Sequence, residues 1–264
     1  MIRFAGGRVA SSGEDVYYEV AGDGDEVVVL GHGLGGNHAV WFQQVPVLAE
    51  RYRVVTWDQR GFGMSSNRAG ASGPPAAVDD LTVLLDHLGV ERAHLVGQSM
   101  GGWAVVGFAL RSSDRVRSLV LADTTGGISN DAVTSALSTP TRRTVEPGVL
   151  GSHRAVGPAL EPTRAFLYQQ LGGFRGEIDE ADMIGKLFGT SYPLDEIAQL
   201  AMPVLCVVGA DDDLMPPAAI REVAGLFKDA RVVEIPGAGH SPYFEQPEAW
   251  NAAVLDFLAS ITQR

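Results

Sequence analysis

Short, mainly apolar runs alternate along this chain with helix-like stretches. Val27–Leu30, Ala93–Val96 and Val204–Val208 lack the polar–apolar alternation of a strand with one wet face. Strands of that kind are covered on both sides, which calls for a parallel sheet with helices above and below it. The same reading places further strands at Val16–Val20, Arg53–Trp57, Val116–Ala122 and Arg231–Ile235, with helices over about Ala76–Leu88, Met100–Leu110, Pro217–Phe227 and Pro247–Ile261. The expected class is α/β, a mostly parallel central sheet flanked by helices, and in such sheets ligands bind among the loops at the strands' carboxyl ends. One stretch breaks the rhythm. About Gly126–Leu200 carries no strand signal but has Pro140, Pro147, Pro158, Pro162 and scattered aromatics. It reads as a helical cap over residues 126–200, inserted into a core domain made of 1–125 and 201–264.

Composition limits the partners. The chain has 264 residues, enough for one large domain, and a formal net charge of −12 with no run of Lys or Arg. That charge argues against nucleic acid or an anionic membrane surface and fits an ordinary cytoplasmic protein acting on a small molecule. Met1 to Gly13 has no apolar core behind basic residues and does not read as a signal peptide, and no apolar run reaches the roughly 18 residues that a membrane span needs. The single cysteine, Cys206, lies within an apolar run and reads as a small buried hydrophobe. The histidines are scattered without metal-ligand spacing, so neither metal nor cofactor is expected. Nothing in the sequence fixes the number of subunits.

Chemistry enters at Gly97-Gln98-Ser99-Met100-Gly101, between the Ala93–Val96 strand and a helix starting near Met100. A sharp strand-to-helix turn crowds two backbones together, which excludes a Cβ two residues either side of the serine, and leaves the serine side chain projecting. With 32 glycines in the chain, the motif alone is weak. Its context strengthens it: Gly31-His32-Gly33-Leu34-Gly35-Gly36, Gly209-Ala210-Asp211-Asp212-Asp213 and Gly237-Ala238-Gly239-His240 each follow a strand. A serine, an acid and a histidine thus occur in that order, each just past a strand.

On these motifs, together with Asp58-Gln59-Arg60-Gly61-Phe62-Gly63-Met64-Ser65 and Pro236-Gly237-Ala238-Gly239-His240-Ser241-Pro242, the chain resembles the α/β-hydrolase family over most of its length. Small bacterial carboxylesterases, enol-lactonases and meta-cleavage-product hydrolases are similar to it. Ser99 is the candidate nucleophile. It needs a base with a neutral form near pH 7, and His240, on a glycine-rich loop directly after a strand, is the candidate. An acid must hold the imidazole in the right tautomer. The family's register from Gly209, with Pro216-Pro217 beyond, selects Asp212, while Asp123 at the end of the strand before the insertion is the other place for it. The amide of Met100, at a helix N-terminus, is a candidate oxyanion donor, and by resemblance the amide of Leu34 is the second. His32 reads as a loop-fixing residue. Gln98, Trp103 and Tyr243 are candidate pocket residues, although Gln98 suits equally a buried support of the turn.

The resemblance implies a serine hydrolase of carboxylic esters or lactones. Carbon–carbon hydrolysis stays open, as does a triad-bearing receptor or a cofactor-independent lyase or oxygenase. Meta-cleavage-product hydrolases place a tryptophan after the histidine and an arginine in the cap, whereas Ser241 follows here. Arg142, Arg143, Arg154, Arg164 and Arg175 of the insertion face either solvent or a substrate carboxylate. Phe166, Tyr168, Phe174, Phe188 and Tyr192 are candidates for an apolar lining. A dinucleotide-binding reading of Gly31–Gly36, with Asp58 as the ribose acid, fits the spacing but leaves Ser99, Asp212 and His240 unexplained.

Overall fold

A computed structural model describes residues 2–138, 154–157, 160–174, 176 and 178–262 of the chain. Pro140, Arg142, Arg143, Pro147, His153, Pro158 and Arg175 fall outside the described residues. Eight strands form one sheet: β1 (Phe4–Ser11), β2 (Glu14–Ala21), β3 (Val27–Gly31), β4 (Arg53–Trp57), β5 (Ala93–Gln98), β6 (Val116–Ala122), β7 (Val204–Gly209) and β8 (Ala230–Ile235). Their spatial order is β1-β2-β4-β3-β5-β6-β7-β8. The β1–β2 and β2–β4 pairs are antiparallel and all others parallel.

Side chains of the apolar runs divide by the strand period of two. Val27 and Val29 of β3, with Val204, Cys206 and Val208 of β7, enter one core. Val28 and Leu30, with Leu205 and Val207, enter the other. Each core is closed by helices. Short α1 (Val45–Leu48) lies in the second core, whereas α2 (Pro74–His87) and α3 (Gly101–Arg111) close the first. The insertion between β6 and β7 supplies α4 (Asp131–Leu137), α5 (Pro162–Gly172), α6 (Glu180–Phe188) and α7 (Leu194–Ile197), with no strand among its described residues. Thereafter α8 (Pro217–Ala224) joins the first core, and α9 (Pro242–Glu245) and α10 (Pro247–Thr262) join the second.

The sequence reading did not include β1. Its run, Phe-Ala-Gly-Gly-Arg-Val-Ala-Ser, has two glycines and is mostly exposed, so neither periodicity nor burial marks it. It exists as an edge strand because Ser12 and Gly13, at φ +50° and +81°, close a two-residue hairpin onto β2.

Candidate active site

The turn at Ser99 is as tight as the glycine spacing requires. A Cβ on Gly97 would stand 2.6 Å from the carbonyl oxygen of Gly101, where α3 starts. Ser99 itself has φ +47°, a left-handed conformation that costs a non-glycine residue of order 1–3 kcal/mol and persists only when its surroundings impose it. Three hydrogen bonds impose it here: Ser99 N donates to Ala122 O (2.9 Å), and Ser99 O accepts from Gly102 N (2.9 Å) and Thr124 Oγ1 (2.7 Å). The serine remains partly accessible while its neighbours Gln98 and Met100 are buried.

The loop after β8 brings His240 to it. His240 Nε2 lies 2.9 Å from Ser99 Oγ, and His240 Nδ1 lies 2.7 Å from Asp212 Oδ2. The other oxygen of Asp212 accepts from the amides of Leu214 (2.8 Å) and Met215 (3.0 Å), which fixes the carboxylate on the loop after β7. The amides of Met100 and Leu34 have no hydrogen-bond partner among the described residues. Met100 stands at the N-terminus of α3, whose dipole favours a negative charge there.

Asp123, the rival acid, is also close. It ends β6 in a left-handed conformation (φ +50°), is fully buried, and accepts from Gly209 N (2.9 Å). Burial first, then the charge of Asp212, pushes its carboxyl well above the usual carboxylate range. The structure therefore brings Ser99, His240, Asp212 and Asp123 together, with Asp212 alone hydrogen-bonded to the imidazole.

Two supports of this arrangement went unread or half-read in the sequence. Glu245 of α9 is buried, and its carboxylate accepts from Gly239 N (3.0 Å) and Ser241 N (3.2 Å), on either side of His240, and from Gly157 N (2.6 Å) of the insertion. The available signal was an acid inside the otherwise apolar turn Pro242-Tyr243-Phe244. Gln98 donates from Nε2 to His240 O (2.9 Å), so it ties the elbow to the histidine loop.

The other two pocket candidates are buried and committed. Trp103 donates its indole N–H to Thr190 O (3.1 Å), and Tyr243 packs on Trp41 with ring centroids 4.8 Å apart. Phe166, Phe174 and Phe188 are exposed, so they do not form an enclosed lining, while the Tyr168 hydroxyl accepts from Ser241 Oγ and the Tyr192 hydroxyl donates to Trp103 O. A small cleft does open beside Met100, with walls from Arg60, Phe62, Ala77, Met183 and Leu187. Arg60 forms a bidentate ion pair with buried Asp80, Nη2 to Oδ1 at 2.6 Å and Nε to Oδ2 at 3.1 Å. Among the insertion's arginines, Arg164 caps the carbonyls of Phe244 and Glu245 and lies over the Phe244 ring, a role neither solvent-facing nor substrate-binding. Arg154 has Nε and Nη2 buried without a hydrogen-bond partner among the described residues.

The other histidines among the described residues are occupied elsewhere. His32 accepts from Gln59 N at Nε2 (3.0 Å), leaving Nδ1–H to donate to Gly33 O (2.8 Å), and burial lowers its pKa, so it is a neutral loop fastener. His38 contacts both oxygens of Asp58 at 2.9 Å, and the amides of His38 (2.6 Å) and Met64 (2.7 Å) donate to the same carboxylate. That arrangement removes the dinucleotide reading: Asp58 is fully buried and staples two protein loops, with no oxygen free for a ribose. His94 bonds Ser118 Oγ in the interior, with its pKa lowered to about 4 mainly by burial, and His87 bonds the Tyr18 hydroxyl. Cys206 is fully buried in β7, where burial pushes its thiol up to about 12.

The profile of the alpha/beta hydrolase family matches residues 27–253. The chain belongs to the alpha/beta hydrolase family. This hydrolase is 32% identical over 269 residues to a protein of Mycobacterium tuberculosis H37Rv provisionally named non-heme bromoperoxidase BpoC, an alignment covering 92% of this chain and 97% of that one. It is also 32% identical to a protein of Caulobacter sp. strain K31 provisionally named carbamate hydrolase RutD, covering 93% and 96% of the two chains. Among solved structures, the enol-lactonase from Burkholderia xenovorans LB400 superposes on the hydrolase with a TM-score of 0.79 at 26% identity, covering 96% of this chain and all of that one. Among its described residues the hydrolase has no helix long and apolar enough to cross a membrane.

Proposed function

We propose that this hydrolase cleaves carboxylic esters or lactones through an acyl-enzyme on Ser99. The observation that carries the reading is the unbroken chain from Ser99 Oγ through His240 to Asp212, with contacts of 2.9 and 2.7 Å. Ser99 Oγ attacks the acyl carbon while His240 Nε2 takes its proton. The resulting oxyanion accepts from the amides of Met100 and Leu34, which are already in place and need no reorganisation. Asp212 keeps Nδ1 protonated and balances the imidazolium. His240 then returns the proton to the departing alkoxide oxygen, releasing an alcohol or opening a lactone. Water attacks the acyl-enzyme in the second half, giving up its proton to His240, and the serine leaves with that proton as the acid is released. Residues 126–200 act as a cap over this site.

An acyl carbon bonded to a heteroatom is the common feature of a lactone and a carbamate, the substrates in the names of the neighbour and the relative above. Carbon–carbon hydrolysis is less well supported. Ser241 stands after His240 with its hydroxyl donated to Tyr168, and Arg164 is spent on backbone carbonyls.

The test compares kcat/KM for p-nitrophenyl butyrate, a small lactone, an N-alkyl carbamate and 2-hydroxy-6-oxo-6-phenylhexa-2,4-dienoate. The ester or lactone is expected to lead, and Ser99→Ala is expected to lower kcat on the best substrate by about 10³- to 10⁶-fold with unchanged circular dichroism. A dienoate ahead by more than about 100-fold, close to 3 kcal/mol of transition-state binding, overturns the substrate class.

A further inference from the structure

Two buried carboxylates share the space behind His240, and their hydrogen-bond supply is unequal. Asp212 receives the His240 ring on one oxygen and two amides on the other. Asp123 receives one amide, from Gly209, on Oδ1, while its Oδ2 is buried with no hydrogen-bond partner among the described residues. An oxygen of each and a ring nitrogen of His240 all fall within 4.8 Å of one another. Donors stabilise an ionised carboxylate and burial opposes it, so of two neighbouring acids the one with fewer donors keeps the proton.

We infer that Asp123 is a protonated carboxylic acid whose O–H donates a hydrogen bond to Asp212, making it a positioning residue for the serine–histidine–aspartate chain. The surrounding groups agree with this. Asp212, Glu245, Tyr168 and Tyr243 act on or lie against Asp123, and none can be a cation. His240 can carry positive charge, and its ring faces Asp212. The left-handed backbone at Asp123 (φ +50°) is a further sign that the fold holds this side chain in place against a local cost.

The consequence concerns charge balance. With Asp123 neutral, His240 faces one anion, so the imidazolium formed during turnover is matched one to one. With both acids ionised, the imidazolium would be held too firmly and the neutral base would be scarce. The kinetic part of this inference rests on the hydrolase mechanism above; the protonation of Asp123 does not.

The experiment therefore has two arms. Infrared difference spectra between the wild-type protein and Asp123→Asn at pH 8 are expected to show a buried carboxylic-acid C=O band in the wild type alone, whatever the substrate turns out to be. Absence of that band overturns the inference. In the kinetic arm, Asp123→Asn supplies another neutral donor and tolerates the left-handed backbone, whereas Asp123→Ala supplies no donor. Asparagine is expected to lower kcat by about three- to tenfold with the acid limb of kcat/KM in place, and alanine by roughly tenfold more, with that limb displaced to higher pH because Asp212 becomes a stronger base. If Asp123 is ionised, both variants remove an anion from beside His240 and move the limb to lower pH, and that sign contradicts the inference. Loss of ester turnover on every substrate with the infrared band present would count against the mechanism and leave Asp123 protonated.

Discussion

Around Ser99, each catalytic candidate is held by groups that do no chemistry. Ser99 is fixed by the carbonyl of Ala122 and by Thr124, Asp212 by two amides, and His240 by Gln98 and by the amides that Glu245 collects on both sides of it. Asp212→Asn keeps the shape of the loop but offers Nδ1 an amide, which favours the wrong tautomer and leaves an imidazolium unbalanced. The expected loss in kcat is about 10²- to 10⁴-fold, far larger than for Asp123→Asn; steady-state kinetics on one ester with both variants decides it, and the reverse order would move the acid to Asp123. The motif residues were legible because glycine spacing and strand ends dictate them. The support by Gln98 was legible only as one of two alternatives and that by Glu245 not at all, since a buried amide or acid that bonds backbone groups leaves no spacing pattern in the chain.

At the level of elements, the fully apolar strands announced themselves, because burial on both faces permits little else. The β1–β2 hairpin did not, and its attachment explains why: polar contacts hold it. Glu14 accepts from Ser66 Oγ, Arg68 N (2.9 Å) and Ala69 N (2.8 Å), and these bonds, that of Ser66 foremost, hold its carboxyl at about 2, below its ordinary value of 4.5. A carboxylate with a depressed folded pKa contributes fully above its ordinary value and loses the contribution as pH falls toward the folded one. Glu14→Gln is therefore expected to lower the urea midpoint at pH 7, and the gap to wild type is expected to narrow from about pH 4.5 downward; a gap independent of pH would show that the charge is irrelevant. The insertion is anchored by a different element, α5. Arg164→Ala removes its bonds to Phe244 and Glu245, where charged hydrogen bonds contribute roughly 1.5–3 kcal/mol. Faster proteolysis within 126–200, with kcat reduced severalfold, is expected. Unchanged proteolysis would mean that Asn37, through its bond to Leu171 O (2.9 Å), and Tyr168 suffice.

For the molecule as a whole, the sheet serves as a jig. Ser99 follows β5, Asp212 follows β7 and His240 follows β8, so three segments distant in sequence meet at one sheet edge once parallel pairing sets the register. The fold class and this edge were readable from the strands and the glycine loops. The pocket was not, because Trp103, Tyr243 and the aromatics of the insertion carry no sign of which way their rings turn. The central claim is covalent chemistry at Ser99, and intact mass spectrometry of protein quenched during turnover of p-nitrophenyl butyrate tests it most directly. The expected result is one butyryl group per chain, mapped to Ser99 and absent from Ser99→Ala. Steady hydrolysis with no adduct on the wild-type chain, or with the acyl group mapped to another residue, contradicts it.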